Sequence, residues 1–206
     1  MIKTEDNLRS MFGTVHPLAK TKVRPTFDKY SRQFILMSPF LVISTADNQG
    51  RADLSPRGDP PGFVKILGDN AMLIPDRPGN NRLDTMANIV ANPNVACLFF
   101  IPGFEDTLRV SGRAQITNDP TLLDSFKING KNPSAGIIVT VDEVFMHCAK
   151  ALKRSKLWAD DYRQNRSVMP GIAEIILHQT SEFGVDEEAA AAAEMDVEHD
   201  YKVGLY

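Results

Sequence analysis

The sequence predicts a mainly β fold with peripheral helices, built around an antiparallel barrel. Six or seven short apolar, β-branched segments are joined mostly by tight turns. Only one helical insertion interrupts the first six, whereas a parallel sheet needs a crossover connection, usually a helix, between its strands. The chain has 206 residues and is 43% hydrophobic, which is enough to bury a sizeable core in one domain.

Apolar runs and turn residues place the strands along the chain. Asp47 to Gly50 and Gly68 to Asn70 are rich in turn residues, and each lies between two extended segments, which predicts two hairpins. The segment 94–101 is apolar at nearly every position, as in a strand covered on both faces. The predicted strands are residues 40–45, 51–55, 63–67, 71–75, 94–101, 108–116 and 136–146.

One helical insertion is predicted among the strands, from about Asn80 to Ala91. Leu83, Met86 and Val90 share one of its faces, and Asn92-Pro93 supplies a stop signal. Because the flanking segments are extended, this helix should pack at an edge of the barrel.

The other predicted helices lie before and after the strands. They are residues 28–37, with Tyr30, Phe34 and Met37 at helical spacing, a basic and partly helical segment at 148–158, and helices at 172–177 and 186–194. The aromatic segment 200–206 is predicted to dock on the body. We expect one domain over residues 1–206, with a core at about 34–158, N-terminal helices within 1–38 and a helical extension at 159–206.

Composition and charge exclude several classes of partner. The formal net charge is −3 and the pI is about 5.8, so no overall positive field favours nucleic acid or an anionic membrane. Every apolar run is shorter than the roughly 18 residues of a membrane span. The two cysteines lie far apart and no secretory leader is visible, which predicts a soluble, cytoplasmic protein. The four histidines are scattered singles, and no metal site is predicted.

The segment Asp76-Arg77-Pro78-Gly79-Asn80-Asn81-Arg82 lies where a strand gives way to a helix. Asn80 or Asn81 can cap that helix, which leaves N–H groups of its first turn free to bind an anion. Arg77 and Arg82 flank this point, and guanidinium groups donate to phosphate oxygens. A well-formed turn with two solvated arginines explains the spacing equally well.

Two further basic clusters could contact a ligand. Arg109, Ser111 and Arg113 alternate onto one face of a strand. The segment Lys150 to Trp158 follows the last strand and is typical of an amphipathic helix with a solvated basic face. Its indole nevertheless offers a flat surface on which an aromatic ligand can stack.

These short motifs occur in a fixed order along the strands. They are Ala52-Asp-Leu-Ser-Pro-Arg-Gly58, Ile74-Pro-Asp-Arg-Pro-Gly-Asn-Asn-Arg82, Asn92-Pro-Asn-Val95, Leu108-Arg-Val-Ser-Gly-Arg-Ala114 and the segment Cys148 to Trp158. Over roughly residues 34–158 the chain resembles the pyridoxamine 5'-phosphate oxidase-like flavin-binding proteins. The resemblance implies a six-stranded antiparallel Greek-key split β-barrel that forms a homodimer, with one flavin mononucleotide (FMN) in each of two clefts at the subunit interface.

The resemblance also implies which residues hold the cofactor. The strand residues Ser55, Pro56, Arg57 and Gly58 would lie along the isoalloxazine ring, and Asp76 and Arg77 would follow the ribityl chain. Asn81 and Arg82, with Asn80 beside them, would hold the phosphate. Thr107 and Arg109 would touch the flavin from their strand, and Lys150, Arg154, Ser155 and Trp158 would reach it from the facing subunit.

One departure separates the chain from the oxidase that gives the family its name. That oxidase holds its substrate with an Arg-x-His-x-Arg-like pattern, whereas this sequence has Glu198-His-Asp-Tyr-Lys202 followed by Val203 to Tyr206. The resemblance therefore implies an FMN-dependent oxidoreductase that moves electrons between a reduced nicotinamide and a small acceptor other than pyridoxamine phosphate. Two alternatives stay open: a non-catalytic flavin-binding or sensor protein, and the same fold with a deazaflavin or haem.

Overall fold

Seven β-strands form one antiparallel sheet in the computed structural model, which describes residues 1–181 and 184–206. They are β1 (Phe40–Ala46), β2 (Ala52–Gly58), β3 (Lys65–Leu67), β4 (Ala71–Pro75), β5 (Asn94–Phe100), β6 (Thr107–Thr117) and β7 (Gly136–His147). The strand order is β2-β1-β5-β6-β7-β4-β3, with β2 and β3 at the edges. The predicted antiparallel architecture is confirmed. The sheet has seven strands in place of six because the short β3 pairs with β4 as a separate strand.

The sheet encloses a large apolar core, with a smaller cluster around Leu73, Leu123 and Phe126, because alternate residues of most strands point inward. One buried row crosses the sheet in register, and it contains Ile43 of β1, Cys97 of β5, Val110 of β6 and Val144 of β7. The pairing of β6 with β7 shifts between Ser111 and Gly112. A Cβ at Gly112 would collide with the carbonyl oxygen of Thr140, so the close approach of these two strands requires glycine there.

Helix α3 (Lys29–Met37) covers part of this core and begins with a capping box. The Asp28 side chain accepts the backbone N–H of Ser31, and this hydrogen bond is the main reason that the pKa of Asp28 is lowered. Phe34 is buried, as the predicted helical face requires. Tyr30 and Met37 are exposed, because the helix turns Ser31 and Phe34 inward.

The helical insertion, α4 (Asp84–Ala91), differs from its prediction in two respects. It begins at Asp84, and Leu83 precedes it in the left-handed conformation without a side-chain cap, so the predicted cap by Asn80 or Asn81 is wrong. Left-handed residues interrupt the helix there: φ is 56° at Asn81 and 60° at Leu83. The buried face is also shifted, because Thr85 and Ile89 point inward while Leu83 and Val90 are exposed.

The remaining helices flank the sheet. They are α1 (Glu5–Arg9), α2 (Pro17–Thr21), α5 (Pro120–Leu123), α6 (Lys150–Ser155), α7 (Ile172–Thr180) and α8 (Glu187–Val203). Helices α7 and α8 pack on each other, and the Glu194 carboxylate accepts the N–H of Ala173 in the first turn of α7. Among the described helices, none combines the length and the apolar character that crossing a membrane requires.

Candidate functional site

A cleft of about 980 Å³ lies between the edge strand β2 and the segment that follows β4. The cleft brings together two of the predicted cofactor segments, residues 55–58 of β2 and residues 76–82 after β4. The predicted residues that line it are Ser55, Pro56, Arg57, Gly58, Asp76, Arg77, Asn80, Asn81 and Arg82. Residues 128 and 131–135 form another wall, and Phe63 and Tyr206 also line the cleft.

Two ion pairs cross the cleft and join its opposite sides. Arg57 Nη1 of β2 lies 2.8 Å from Asp76 Oδ1, directly after β4. Arg77 Nε lies 2.6 Å from Asp59 Oδ2, directly after β2. Each side therefore supplies one arginine and one aspartate, and the two pairs hold the ends of β2 and β4 together.

The Arg77–Asp59 pair is largely buried, and Arg77 has a further partner. The side chain of Asp59 is 3% exposed, and Arg77 Nη1 donates to the carbonyl oxygen of Phe126 at 2.9 Å. A buried carboxylate is stable only when it is paired and hydrogen-bonded. Arg77 therefore neutralises Asp59 inside the fold, in contrast to the solvated turn that was one explanation of its spacing.

Arg57 lines the cleft and keeps one buried donor without a hydrogen-bond partner. Its Nη1 binds Asp76, but its Nε atom is buried and has no hydrogen-bond partner within the described part of the chain. A buried N–H without an acceptor is costly, so an acceptor at this position would be stabilised. A ligand in the cleft would reach this atom only after the Arg57 side chain moved, because the Nε atom has almost no exposed surface.

The turn from Asn80 to Asp84 forms the exposed end of the cleft. The Asn80 side chain accepts the backbone N–H of Arg82 at 3.2 Å, and Arg82 Nε lies 2.8 Å from Asp84 Oδ2. Both partners of this second contact are exposed, so the ion pair is weak and exchangeable. The first turn of α4 also lines the cleft, and the first N–H groups of a helix have no partner within the helix. This end can accept an anion.

Tyr206 closes one side of the cleft. Its phenol donates to Asp59 Oδ1 at 2.8 Å, and the Arg77 guanidinium carbon lies 5.4 Å from the centre of its ring. The hydrogen bond to Asp59 is the main cause that raises the pKa of Tyr206 above its ordinary value. The prediction that segment 200–206 docks on the body is confirmed for Tyr206.

The other predicted cofactor residues do not line this cleft in a single chain. Thr107, at the start of β6, is 3% exposed, and Arg109 stacks on the Phe145 ring on the outer face of the sheet. Trp158 Nε1 donates to the carbonyl oxygen of Phe104 at 2.7 Å. Lys150, Arg154 and Ser155 are exposed on α6. The predicted contacts of these residues with a cofactor therefore remain predictions.

Neither cysteine is placed for chemistry in the cleft. Cys97 lies in the core, where burial raises the pKa of its thiol to about 12, and Cys148 is exposed beyond β7. His147 pairs with Thr107 across β6 and β7 and does not line the cleft either. The described residues contain no cluster of three His, Cys, Asp or Glu side chains that could hold a metal ion.

Sequence reasoning missed several residues of the cleft. Asp59 follows the motif at residues 52–58 directly, but nothing in the sequence indicates that its carboxylate is buried. Lys131 and its neighbours join the cleft through a loop that has no recognisable motif. The aromatic character of residues 200–206 predicted that this segment docks, but it did not identify Asp59 as the partner of Tyr206.

Comparisons with known proteins give one matching family model and several similar solved structures. The family model for pyridoxamine 5'-phosphate oxidase matches residues 27–148. Among solved structures, HupZ of Group A Streptococcus is 16% identical, with 58% of this chain and 93% of that chain covered and a TM-score of 0.49. A putative pyridoxamine 5'-phosphate oxidase of Lactobacillus delbrueckii is also 16% identical, with 61% of this chain and 99% of that chain covered and a TM-score of 0.48. General Stress Protein 26 of Bacillus anthracis is 20% identical, with 56% of this chain and 88% of that chain covered and a TM-score of 0.44. No match was found among curated proteins.

The family match covers the sheet and most of the cleft. Residues 27–148 include all seven strands described above, the turn after β4 and the loop through Lys131. The match exceeds half of the chain, and the chain belongs to the pyridoxamine 5'-phosphate oxidase family.

Proposed function

We propose that the cleft binds FMN and that the protein is an oxidoreductase acting on a small acceptor. The observation that carries this proposal is the cleft itself, which lies between β2 and the turn after β4 and is lined at its exposed end by an exchangeable cation, Arg82. Its volume of about 980 Å³ lies within the range that accommodates cofactors of this size.

The phosphate of FMN fits the exposed end of the cleft. Arg82 is held there only by the exposed Asp84 carboxylate, and a dianionic phosphate is a stronger acceptor for a guanidinium group. Free N–H groups in the first turn of α4 add donors at the same end. In this arrangement Asn81 and Arg82 bind the phosphate, while Arg77 remains paired with Asp59.

The ring of the flavin fits along β2. This strand is an edge of the described sheet, so backbone groups on its outer side are free to bind a ligand. Ser55 and Arg57 point toward the cleft interior, and Pro56 contributes no N–H donor. Bound flavin would supply the transfer of electrons from a reduced nicotinamide to the acceptor, while the chain binds, orients and shields it.

A flavin suits the cleft better than haem does. None of the described lining residues is His or Cys, and of the other haem-ligand types there, the Tyr206 phenol is bound to Asp59 and the Met86 thioether is a weak ligand. A deazaflavin shares the planar ring and the phosphate, and a direct binding comparison separates it from FMN.

The proposed dimer has an apolar sheet face to bury. Leu54 on β2 is 69% exposed, and Phe40 on β1 is exposed on the same outer face. Val42 and Leu98 continue that face between Pro56 and Arg109, in register across β2, β1, β5 and β6. A contiguous apolar face on a sheet is typical of a protein interface. We propose that a second copy on this face reaches the cleft with its Lys150 to Trp158 segment, as the family resemblance implies.

The cofactor is tested by purification and titration. We expect the purified protein to carry or take up FMN with a visible flavin spectrum, and to bind FMN more tightly than a deazaflavin or haem. A colourless protein that takes up none of the added FMN would contradict the proposal. Full FMN occupancy without oxidation of NADH or NADPH, for any of a panel of small acceptors, would favour the non-catalytic sensor.

The dimer is tested by a charge placed on the outer face. We expect the wild-type protein to sediment as a dimer and Phe40→Glu to shift it to a monomer, because a carboxylate buried in an apolar interface is costly. Leu18→Glu is the matched control, since Leu18 is an exposed apolar residue of α2. A monomeric wild-type protein, or a dimer that Phe40→Glu leaves intact, would contradict this interface.

A further inference from the structure

Tyr206 stands out among the cleft residues because it lies far along the chain from the others, beyond residues 27–148 that the family model matches. It lies just beyond α8, within residues 204–206, which we call the tail. The tail leaves α8 through a tight turn, since the Gly204 N–H donates to the Asp200 carbonyl oxygen at 2.7 Å. A Cβ at position 204 would lie too close to the side chain and carbonyl oxygen of Asp200, so a larger residue would shift this turn. The turn directs Tyr206 to the cleft.

The tail is held by the buried ion pair of the cleft. The phenol of Tyr206 and the guanidinium group of Arg77 bind different oxygens of the same Asp59 carboxylate. The aromatic ring also lies against Arg77, which adds a cation–π contact. A hydrogen bond to a charged group and a cation–π contact are together strong enough to favour a docked tail, while the ring stays partly exposed and able to leave.

The docked tail narrows the cleft without filling it. Tyr206 is part of the wall, and about 980 Å³ remains open beside it. A cofactor can therefore occupy the cleft while Tyr206 stays docked. Tyr206 therefore does not take up the space in which the ligand is bound.

We propose that Tyr206 is a gate residue, which docks on Asp59 and Arg77 and slows both the entry and the exit of the ligand in the cleft. The identity of that ligand as FMN rests on the proposed function above. Mutation of a gate residue changes the rates of ligand entry and exit together. Mutation of a residue that only contacts the bound ligand changes mainly the exit rate.

The kinetic test compares wild type with Tyr206→Phe and Tyr206→Ala. FMN fluorescence reports binding after rapid mixing and release after dilution. We expect Tyr206→Phe, which loses the hydrogen bond to Asp59, to raise both rates about tenfold. Tyr206→Ala also loses the ring and should raise them further, with a much smaller change in Kd. Tyr201→Ala is the control, because Tyr201 is an exposed tyrosine of α8.

Three kinetic results would overturn the gate. They are equal rates in all variants, faster release without faster binding, and slower release from Tyr206→Ala. A wild-type protein that binds no FMN overturns the proposed function as well, and is distinguished from these results because no variant rates can then be measured.

A second measurement tests docking without any ligand. The chain has four tyrosines, so ring-labelled tyrosine gives few NMR signals, and Tyr206→Phe identifies the signal of Tyr206. We expect Asp59→Asn to shift that signal and the wild-type phenol to titrate above its ordinary pKa, because it donates to Asp59. An unchanged signal in Asp59→Asn would overturn the docking on which the gate depends.

Discussion

The two arginines of the turn after β4 have opposite surroundings, although they are five positions apart in one motif. Arg77 is largely buried, pairs with the buried Asp59 and donates to the Phe126 carbonyl oxygen. Arg82 is 73% exposed and pairs only with the exposed Asp84. The comparison separates two roles that the sequence motif combines: Arg77 holds the cleft together, and Arg82 is available to a ligand.

The largest expected effect tests whether Arg77 stabilises the fold. Arg77→Met removes the charge that neutralises Asp59 and should lower the free energy of unfolding by about 3 to 5 kcal/mol. Urea denaturation measures the change. The double variant Arg77→Met/Asp59→Leu should recover much of the loss, because no unpaired charge then remains buried.

A small effect of Arg77→Met on the free energy of unfolding would contradict the structural role of Arg77. If the variant loses less than about 1 kcal/mol, Arg77 behaves like a surface cation, and its ion pair contributes no more than that of Arg82. Failure of the double variant to recover stability would place the cost in packing around the guanidinium stem instead of in the charge of Asp59.

The next largest effect tests whether Arg82 binds the ligand. Arg82→Ala should weaken FMN binding by about 1.5 to 3 kcal/mol, the value of a hydrogen bond to a charged group, and change stability by less than about 0.5 kcal/mol. Fluorescence titration and urea denaturation measure the two quantities. Arg51→Ala is the matched control, because Arg51 is also an exposed arginine paired with a nearby aspartate, Asp47. Unchanged affinity in Arg82→Ala would place the phosphate elsewhere.

The sheet was more predictable than the cleft for a physical reason. Strand signals are local: apolar alternation and turn residues fixed β4 at residues 71–75 and placed β6 within a residue of its observed ends. The start of α4 depended on backbone conformation that the side chains only weakly specify. Asn80 is a good cap, yet the left-handed Asn81 and Leu83 move the helix start to Asp84.

Long-range partners explain what the sequence could not indicate about the site. The Arg57–Asp76 and Arg77–Asp59 pairs join residues 19 and 18 positions apart, and the Tyr206–Asp59 bond spans 147 positions. Such contacts depend on how β2 and β4 approach each other, which local pattern does not encode. The residue types at Arg77 and Arg82 indicated an anion site, but only the fold distinguishes a buried arginine from an exchangeable one.

The smallest expected effect concerns the backbone on either side of Arg82. Leu83 is left-handed with φ of 60° and is 56% exposed, so its conformation is strained and its side chain gains little from burial. Leu83→Gly should relieve the strain and raise the free energy of unfolding by up to about 1 kcal/mol, partly offset by the greater entropy of glycine in the unfolded chain. Asn81→Gly should gain less, because asparagine tolerates this conformation. Urea denaturation compares the two, and a loss of stability in Leu83→Gly would mean that contacts of the leucine side chain, and not the exposed turn alone, fix the position of Arg82 beside the cleft.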